Sequence, residues 1–223
     1  HDFNNILTAI IGNAELLRSQ IKSEKRIDNH RDYIEQTSEI TACAERAARL
    51  TNQLLAFGRQ QVLHATALNP GEVIRSLKPM LKRLLPVDVE LLISGGPKTR
   101  LIRVDRSQFE QVVMNLVLNG RDAIVGMGTI TIELTEMAVA DIAELEGLDG
   151  DFVALKVTDS GEGIPSELLP NIFEPFFTTK AEHRGTGLGL ASVHGIVMQS
   201  GGRIIVASEP KEGTTFSVYF PVA

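Results

Sequence analysis

Along the first sixty residues an apolar side chain returns every three or four positions. It does so at Phe3, Leu7, Ile10, Ala14, Leu17 and Ile21. After a polar stretch from Lys22 to Asp32 the pattern resumes at Tyr33, Ile40, Cys43, Ala47, Leu50, Leu54 and Phe57, with Gln36 as a polar interruption. Spacings that alternate four and three place a seam along one side of an α-helix. Ile6 and Ile11 flank that seam and widen it to the face of a bundle helix. Two such helices joined by a short polar connection form a hairpin. Two helices alone cover each other poorly, so two chains are expected to pair into a four-helix bundle. The competing arrangement is a monomer whose hairpin packs on the second half.

Beyond Gln60 the period changes. Asn69-Pro70-Gly71-Glu72 opens a helix carrying Val73, Ile74, Leu77, Leu81 and Leu84, and Asp105 opens another with the spacing of a loose capping box to Gln108. Val87–Ser94, Leu101–Val104, Gly128–Glu136, Phe152–Asp159, Arg203–Ser208 and Thr214–Phe220 read as strands, and Gly187–Ser200 as a helix. Strands mixed with helices, with the late strands adjacent, predict an α+β two-layer sandwich. The boundary between the halves is expected between Gln60 and Thr66, giving domains 1–63 and 64–223.

The formal net charge of −6 gives no general reason to expect binding to nucleic acid or an acidic membrane. A single cysteine, Cys43, excludes an internal disulfide and any Cys-rich zinc site. Its apolar helical position suits a small core residue. No window approaches the roughly 20 apolar residues of a membrane span, and no signal peptide is visible. Starting at a non-Met residue inside a helical pattern, the chain reads as a fragment of something longer.

Three sets of polar residues and glycines interrupt the apolar logic. On the helix after Asp105, the stripe Gln108, Gln111, Asn115, Asn119 and Asp122 lies opposite the apolar face of Phe109, Val112, Val113, Leu116, Val117, Ala123 and Ile124. It is either a solvated face or a set of carbonyl oxygens offered to a hard cation; asparagine does not favour helix. Asp159 ends an apolar strand before Gly161 and Gly163. It is either the cap of a Gly-rich turn or a buried acceptor for an exocyclic amine. Gly185, Gly187 and Gly189 lack the Rossmann and P-loop spacings, yet they open a helix whose N–H groups suit phosphate. A Phe-rich anchor of Phe173, Phe176 and Phe177 precedes them, followed by a polar span from Thr178 to Arg184. That anchor is expected to pack while the span closes over a nucleotide. Lys180, ahead of Arg184, is the expected phosphate contact. His30, His64, His183 and His194 have no partners at metal-ligand spacing.

In this order the motifs resemble the catalytic core of sensor histidine kinases, a HisKA-type helical hairpin followed by a GHKL-type ATP-binding domain. The wording of Phe176-Phe177-Thr178-Thr179-Lys180 and Gly185-Thr186-Gly187-Leu188-Gly189-Leu190 is similar to kinases of the nitrogen-regulation and hybrid cell-cycle kind. The resemblance implies ATP and Mg²⁺ as cofactors. It implies Asn119 as the metal ligand, with Asn115 and Asp122 on the same face, and Asp159 as the adenine ligand beside Gly161 and Gly163. Phe176, Thr179 and Lys180 fall in the lid, Gly185 to Leu190 in the phosphate turn, and Thr214 in the last glycine box.

His1 matches the phosphoacceptor, Asp2 the neighbouring acid that orients it and takes its proton, and Asn5 the position that places water for dephosphorylating the partner. Neutral imidazole suits attack on phosphorus. Asn115 stands where water-splitting relatives carry a glutamate base, which favours transfer to a protein nucleophile. Gly120 stands where alanine is more usual, an expected loosening of the helix. Leu16, off the seam, is a candidate docking contact.

The function implied is autophosphorylation of His1 and transfer to an aspartate of a response-regulator receiver domain by a cytoplasmic homodimer, with room for a membrane anchor upstream. The alternatives are a GHKL ATPase with nucleotide-driven dimer closure, a degenerate scaffold, and net phosphatase activity.

Overall fold

The computed structural model describes residues 64–95, 99–138, 150–180 and 186–223, together with six isolated helical positions, Ile10, Gly12, Ala14, Leu17, Thr37 and Ile40. The chain divides into two compact units, His1–Gln61 and Val62–Ala223. In the first, the predicted seam positions Ile10, Leu17 and Ile40 are helical and half-buried, and Ala14 is exposed. The remaining seam residues, Leu16 and Cys43 lie outside the described residues.

In the second unit the helix starts are written in short polar side chains. Helix α1, Pro70–Leu84, is capped by Asn69, whose side chain accepts the Glu72 N–H at 3.1 Å, and Pro70 suits the first turn because it has no N–H to leave unpaired. It ends before Pro86, which disfavours helix at the preceding Leu85. Helix α2, Arg106–Ala123, is capped by Asp105, which accepts from the N–H groups of Ser107 at 2.8 Å and Gln108 at 3.3 Å. These bonds hold the Asp105 carboxyl below its ordinary range, the Ser107 hydroxyl contributing most. Helix α3, Gly189–Gln199, is short and mostly apolar.

Among the described residues, seven strands complete the unit. β1 (Thr66–Leu68) pairs antiparallel with β3 (Ile102–Val104) in a small ribbon. β2 (Val89–Ser94), β4 (Gly128–Ala138), β5 (Asp151–Asp159), β6 (Arg203–Glu209) and β7 (Gly213–Pro221) form one mixed sheet in the order β2-β4-β5-β7-β6. Among these strands β2 and β4 run parallel and the other pairs antiparallel; the crossover between β2 and β4 carries α2.

Alternation along the strands decides which face is covered. Val153, Leu155 and Val157 of β5 share one core with Phe216, Val218 and Phe220 of β7 and with the apolar faces of all three helices. Phe109 and Phe220, both almost fully buried, meet with ring centroids 5.6 Å apart. Each such burial is worth roughly 2–3 kcal/mol. Phe152, Ala154 and Tyr219 form a smaller cluster of their own. The expected α+β sandwich is therefore present, helices on one face of the sheet.

Two differences from the sequence reading have plain causes. β1 is too short to show a period and exists because β3 offers it an edge. Helix α3 begins at Gly189 rather than Gly187, because Gly187 sits at φ +64°, outside right-handed helix.

Candidate functional site

The sheet's helix-facing side is apolar row after row until its end. Ile132, Val157, Phe216 and Val206 lie across four neighbouring strands in register. The next row outward reads Ile130, Asp159, Thr214, Ser208. Three polar side chains thus replace three apolar ones where the sheet meets the loops, and Asp159 and Thr214 are only 5% and 4% exposed. Asp159 Oδ1 accepts the Gly161 N–H at 2.9 Å. Burial raises the Asp159 pKa, and hydrogen bonds from the backbone of Gly161 and Thr214 offset this only in part. A buried carboxylate with lone pairs to spare can take a hydrogen bond from an outside donor.

Helix α2 closes the site from above. Gly120 does not loosen it: the helix runs unbroken to Ala123, and Gly120 is buried against Asp159. A Cβ there would sit 3.0 Å from the Asp159 Cβ. Its lack of a side chain lets the helix lie down on the carboxylate. One turn on, the Ala123 carbonyl accepts the Glu162 N–H at 3.0 Å, fastening the Asp159–Gly163 turn to the helix end.

The asparagine stripe meets the glycine turn. Asn115 Nδ2 donates to the Gly189 carbonyl at 3.2 Å. A Cβ on Gly189 would come within 3.8 Å of the Asn119 amide nitrogen and 4.0 Å of the Asn115 side-chain carbon. Among the described residues no side chain caps the start of α3; the Leu188 N–H reaches Thr186 Oγ1, at 3.4 Å. Uncapped N–H groups at a helix start favour an anion through unsatisfied donors and the helix dipole. Asn119 therefore stands beside these N–H groups, and its side-chain amide includes a neutral carbonyl oxygen of the kind a hard cation takes. Among the described residues no three His, Cys, Asp or Glu side chains converge on a point. The donor set suits Mg²⁺, which takes few protein oxygens and keeps water and phosphate oxygens around it.

The lid's first residues reach back to the same helix. Lys180 Nζ lies 2.7 Å from Asp122 Oδ2, and Arg121 Nε donates to Asp122 Oδ1 at 2.8 Å. Burial pushes the Asp122 carboxyl up, but these two cations outweigh it and hold it below the usual range. Gly187 fixes the other side. Its carbonyl accepts the Phe176 N–H at 2.9 Å, and a Cβ on it would lie 2.3 Å from the Phe176 carbonyl carbon. Only glycine permits both the positive φ and that approach.

Residues 104–223 match the family described as histidine kinase-, DNA gyrase B-, and HSP90-like ATPase, and residues 1–62 match the His Kinase A (phospho-acceptor) domain. The chain belongs to the sensor histidine kinase family. The sensor kinase CckA of Brucella abortus (strain 2308) is 43% identical to it over 99% of this chain and 23% of the relative. Sensor histidine kinase ZraS of Escherichia coli (strain K12) is 37% identical over 80% of this chain and 36% of the relative. The chain thus spans 23% and 36% of the length of these two curated relatives. The solved catalytic domain of histidine kinase ThkA superposes with a TM-score of 0.56 at 29% identity, over 71% of this chain and 96% of that one. ThkA in complex with response regulator protein TrrA shares the fold, with a TM-score of 0.69 at 24% identity over 100% of this chain and 59% of that one.

Within this histidine kinase chain the structure brings together Asn115, Asn119, Asp159, Gly161, Gly187, Gly189 and Thr214. Gly163, at φ +69°, turns beneath Pro210 on the β6–β7 side. Leu188 is buried at 2% exposure and Leu190 half-buried on the core, so both support the turn through packing. Thr179 and Thr186 are exposed. Asp122 is engaged by two cations. His1, Asp2, Asn5 and Gly185 lie outside the described residues.

The Phe anchor is corrected in one member. Phe173 and Phe177 pack on the core, Phe173 also against His194 at 5.3 Å between ring centroids. Phe176 does not: at φ +70° its side chain turns outward and is 64% exposed. Sequence reasoning also missed Ser208. Its only signal is an alternation with Ile204 and Val206, which becomes meaningful once the register sets it across from Thr214. A cavity of about 390 Å³ beside Arg103, Gln108 and Pro221 lies at the other end of β7 from Thr214 and shares none of these groups.

No helix among the described residues is long and apolar enough to cross a membrane.

Proposed function

We propose that the chain is an ATP-dependent protein histidine autokinase of a two-component system, and that it passes its phosphoryl group to an aspartate on a response-regulator receiver domain. Residues 64–223 bind Mg-ATP, and residues 1–63 form the dimerisation and phosphotransfer hairpin. Adenine enters against Asp159, Gly161, Gly163 and Thr214, its exocyclic amine donating to the Asp159 carboxylate. The phosphates lie on the turn from Gly185 to Leu190, between the start of α3 and the Asn115–Asn119 face. Thr186 belongs to that turn, Thr179 and the exposed Phe176 border the phosphates from the lid, and Lys180 swings from Asp122 toward their charge.

The observation that carries this reading is Asn115. One turn before Asn119, its amide is committed to the Gly189 carbonyl at 3.2 Å, over the mouth of the phosphate turn. An amide cannot take a proton from water at neutral pH. The site is thus built to hold a phosphoryl group for a nucleophile brought from elsewhere. Mg²⁺ bound through Asn119 would supply charge neutralisation across the phosphate oxygens.

The nucleophile is His1. A lone pair on its neutral imidazole attacks the γ-phosphorus, the bond to the bridging oxygen breaks, and ADP leaves. The proton on the other ring nitrogen is taken by Asp2. Asn5 then allows the reverse service, placing water to dephosphorylate the partner. A homodimer is supported by the His Kinase A match and by the seam positions Ile10, Ala14, Leu17 and Ile40, none of which is fully buried within one chain. A receiver partner is supported by histidine kinase ThkA, which has been solved with response regulator protein TrrA.

The test incubates the chain, extended upstream so that no free α-amino group adjoins His1, with γ-labelled ATP and Mg²⁺. The expected label is acid-labile and base-stable, and it is lost in His1→Gln and Asn119→Asp. Label that survives both substitutions, or ADP released without label, would remove the autokinase reading.

A further inference from the structure

The last row of the sheet's inner face contains one more functional group than adenine recognition by Asp159 requires, and its hydrogen-bond arithmetic is closed. Ser208 Oγ has three neighbours. It lies 2.8 Å from the Ile164 nitrogen, 2.9 Å from the Gly213 carbonyl oxygen and 2.9 Å from Thr214 Oγ1. A serine hydroxyl has one hydrogen and two lone pairs. The Ile164 N–H can only donate, so it takes one lone pair. The Gly213 carbonyl can only accept, so it takes the hydrogen. One lone pair remains for Thr214, and the hydrogen between the two hydroxyls must therefore belong to Thr214. Thr214 in turn has one hydrogen, now spent.

We infer that Ser208 is a positioning and specificity-determining residue: it fixes the Thr214 hydroxyl as a pure acceptor beside Asp159, so that the base pocket accepts a 6-amino purine and rejects a 6-oxo purine. Asp159 and Thr214 are directly paired across β5 and β7, and Thr214 and Ser208 across β7 and β6. All three side chains therefore stand on one face in one row. Both groups nearest the base, a carboxylate and a hydroxyl held by its hydrogen, present lone pairs. An exocyclic amine meets two acceptors; a carbonyl meets lone pairs with no hydrogen between. A buried mismatch of that kind discriminates more strongly than a missing contact, because neither acceptor can turn to water. Ser208 also ties the turn after Asp159 (through Ile164) to the β6–β7 turn (through Gly213), so the orientation is held from both sides.

This inference rests on the proposed binding of adenine at Asp159, and the experiment separates the two. Calorimetric titration of the whole chain with ATP and with inosine triphosphate, in the presence of Mg²⁺, gives a ratio of dissociation constants. The two ligands differ in the 6-substituent and the N1 proton that follows from it. In Ser208→Ala the Thr214 hydroxyl is free to rotate and donate, and the preference for ATP should narrow about 5-fold, the worth of one neutral hydrogen bond. Ser208→Thr keeps the hydroxyl and should keep the ratio. If Ser208→Ala does not fold, Thr214→Val deletes the same acceptor and leaves the Ser208 bonds to Ile164 and Gly213, and it must narrow the ratio as well.

A purely structural role for Ser208 would weaken both nucleotides alike and leave the ratio unchanged, which overturns the inference. If Asp159→Asn has no effect on ATP affinity, the reading of the pocket falls and this inference with it. If Asp159→Asn weakens ATP while Ser208→Ala and Thr214→Val keep the ratio, the pocket stands and only the role of Ser208 falls.

Discussion

Replacing Asp159 by asparagine should separate stability from binding, because the carboxylate is costly to the empty domain and, on the proposed function, is the acceptor for the bound base. It is 5% exposed, and burial raises its pKa. A carboxylate whose folded pKa lies above its unfolded value contributes stability only below the unfolded value, and that contribution is lost as pH rises through the folded pKa. At neutral pH the ionised side chain is therefore a net burden on the apo fold. Asparagine removes the charge, fits the same space, and keeps a carbonyl oxygen for the Gly161 N–H, now accepted at 2.9 Å. The melting temperature of the apo Asp159→Asn protein at neutral pH should accordingly equal or exceed that of the parent.

Binding should move the other way. The asparagine NH₂ turns two donors toward a base that itself brings a donor. The loss is a hydrogen bond to a charged acceptor, about 1.5–3 kcal/mol, or roughly 10- to 150-fold in the dissociation constant for ATP. Displacement of a fluorescent ATP analogue by unlabelled ATP measures it, with thermal melting of the same samples as the stability readout. The parent should also lose affinity on acidification at a pH above the ordinary carboxylate range, and Asp159→Asn should not. A loss in affinity below about 3-fold, short of one hydrogen bond, would mean that the Asp159 carboxylate does not accept from the base. A fall in melting temperature in parallel with affinity would mark Asp159 as a structural residue.

Three further outcomes follow from the geometry. Gly187→Ala places a Cβ 2.3 Å from the Phe176 carbonyl carbon at φ +64°, and the left-handed backbone alone costs about 1–2 kcal/mol; a urea melt should show at least that loss together with weakened ATP binding. Lys180→Met breaks a pair whose side chains are 32% and 29% exposed, so stability should change by less than about 1 kcal/mol while the ATP dissociation constant rises about 5- to 10-fold. Because Asp122 is held below the ordinary carboxylate range, the stability this pair adds is present above that range and is lost only as pH falls through the lower folded value, which an acid titration of the parent against Lys180→Met should reveal. Phe109→Ala empties the centre of the core against Phe220 and should cost about 3–5 kcal/mol by denaturant melting.

What the sequence disclosed, it disclosed through period and punctuation. The strand alternation of Val153, Leu155 and Val157, the helical faces of α1 and α2, and the caps Asn69 and Asp105 are local signals, and the structure keeps each of them. Element ends shifted where a single backbone angle decides, as at Gly187. The short strand β1 left no signal, since three residues cannot show a period and its partner β3 is more than thirty positions away.

The site divides along the same line. As candidates, Asn119, Asp159 and the glycine turn were legible because each stands out from the apolar pattern by residue type and spacing. The outward turn of Phe176 was not, because a run of phenylalanines looks like core whichever way one member points, and only the carbonyl of Gly187 fixes that direction.

Ser208 marks the deeper limit. In sequence it is one serine before Glu209-Pro210, an ordinary turn entrance. Its chemistry arises from two strand registers at once, β5 with β7 and β7 with β6, which put it beside Thr214 and one residue further from Asp159. A hydroxyl's role is set by who holds its hydrogen, and that depends on partners 44, 5 and 6 positions away. Residues that touch a ligand can announce themselves by type and spacing; those that orient the residues touching it are set by the fold, and have to be read from it.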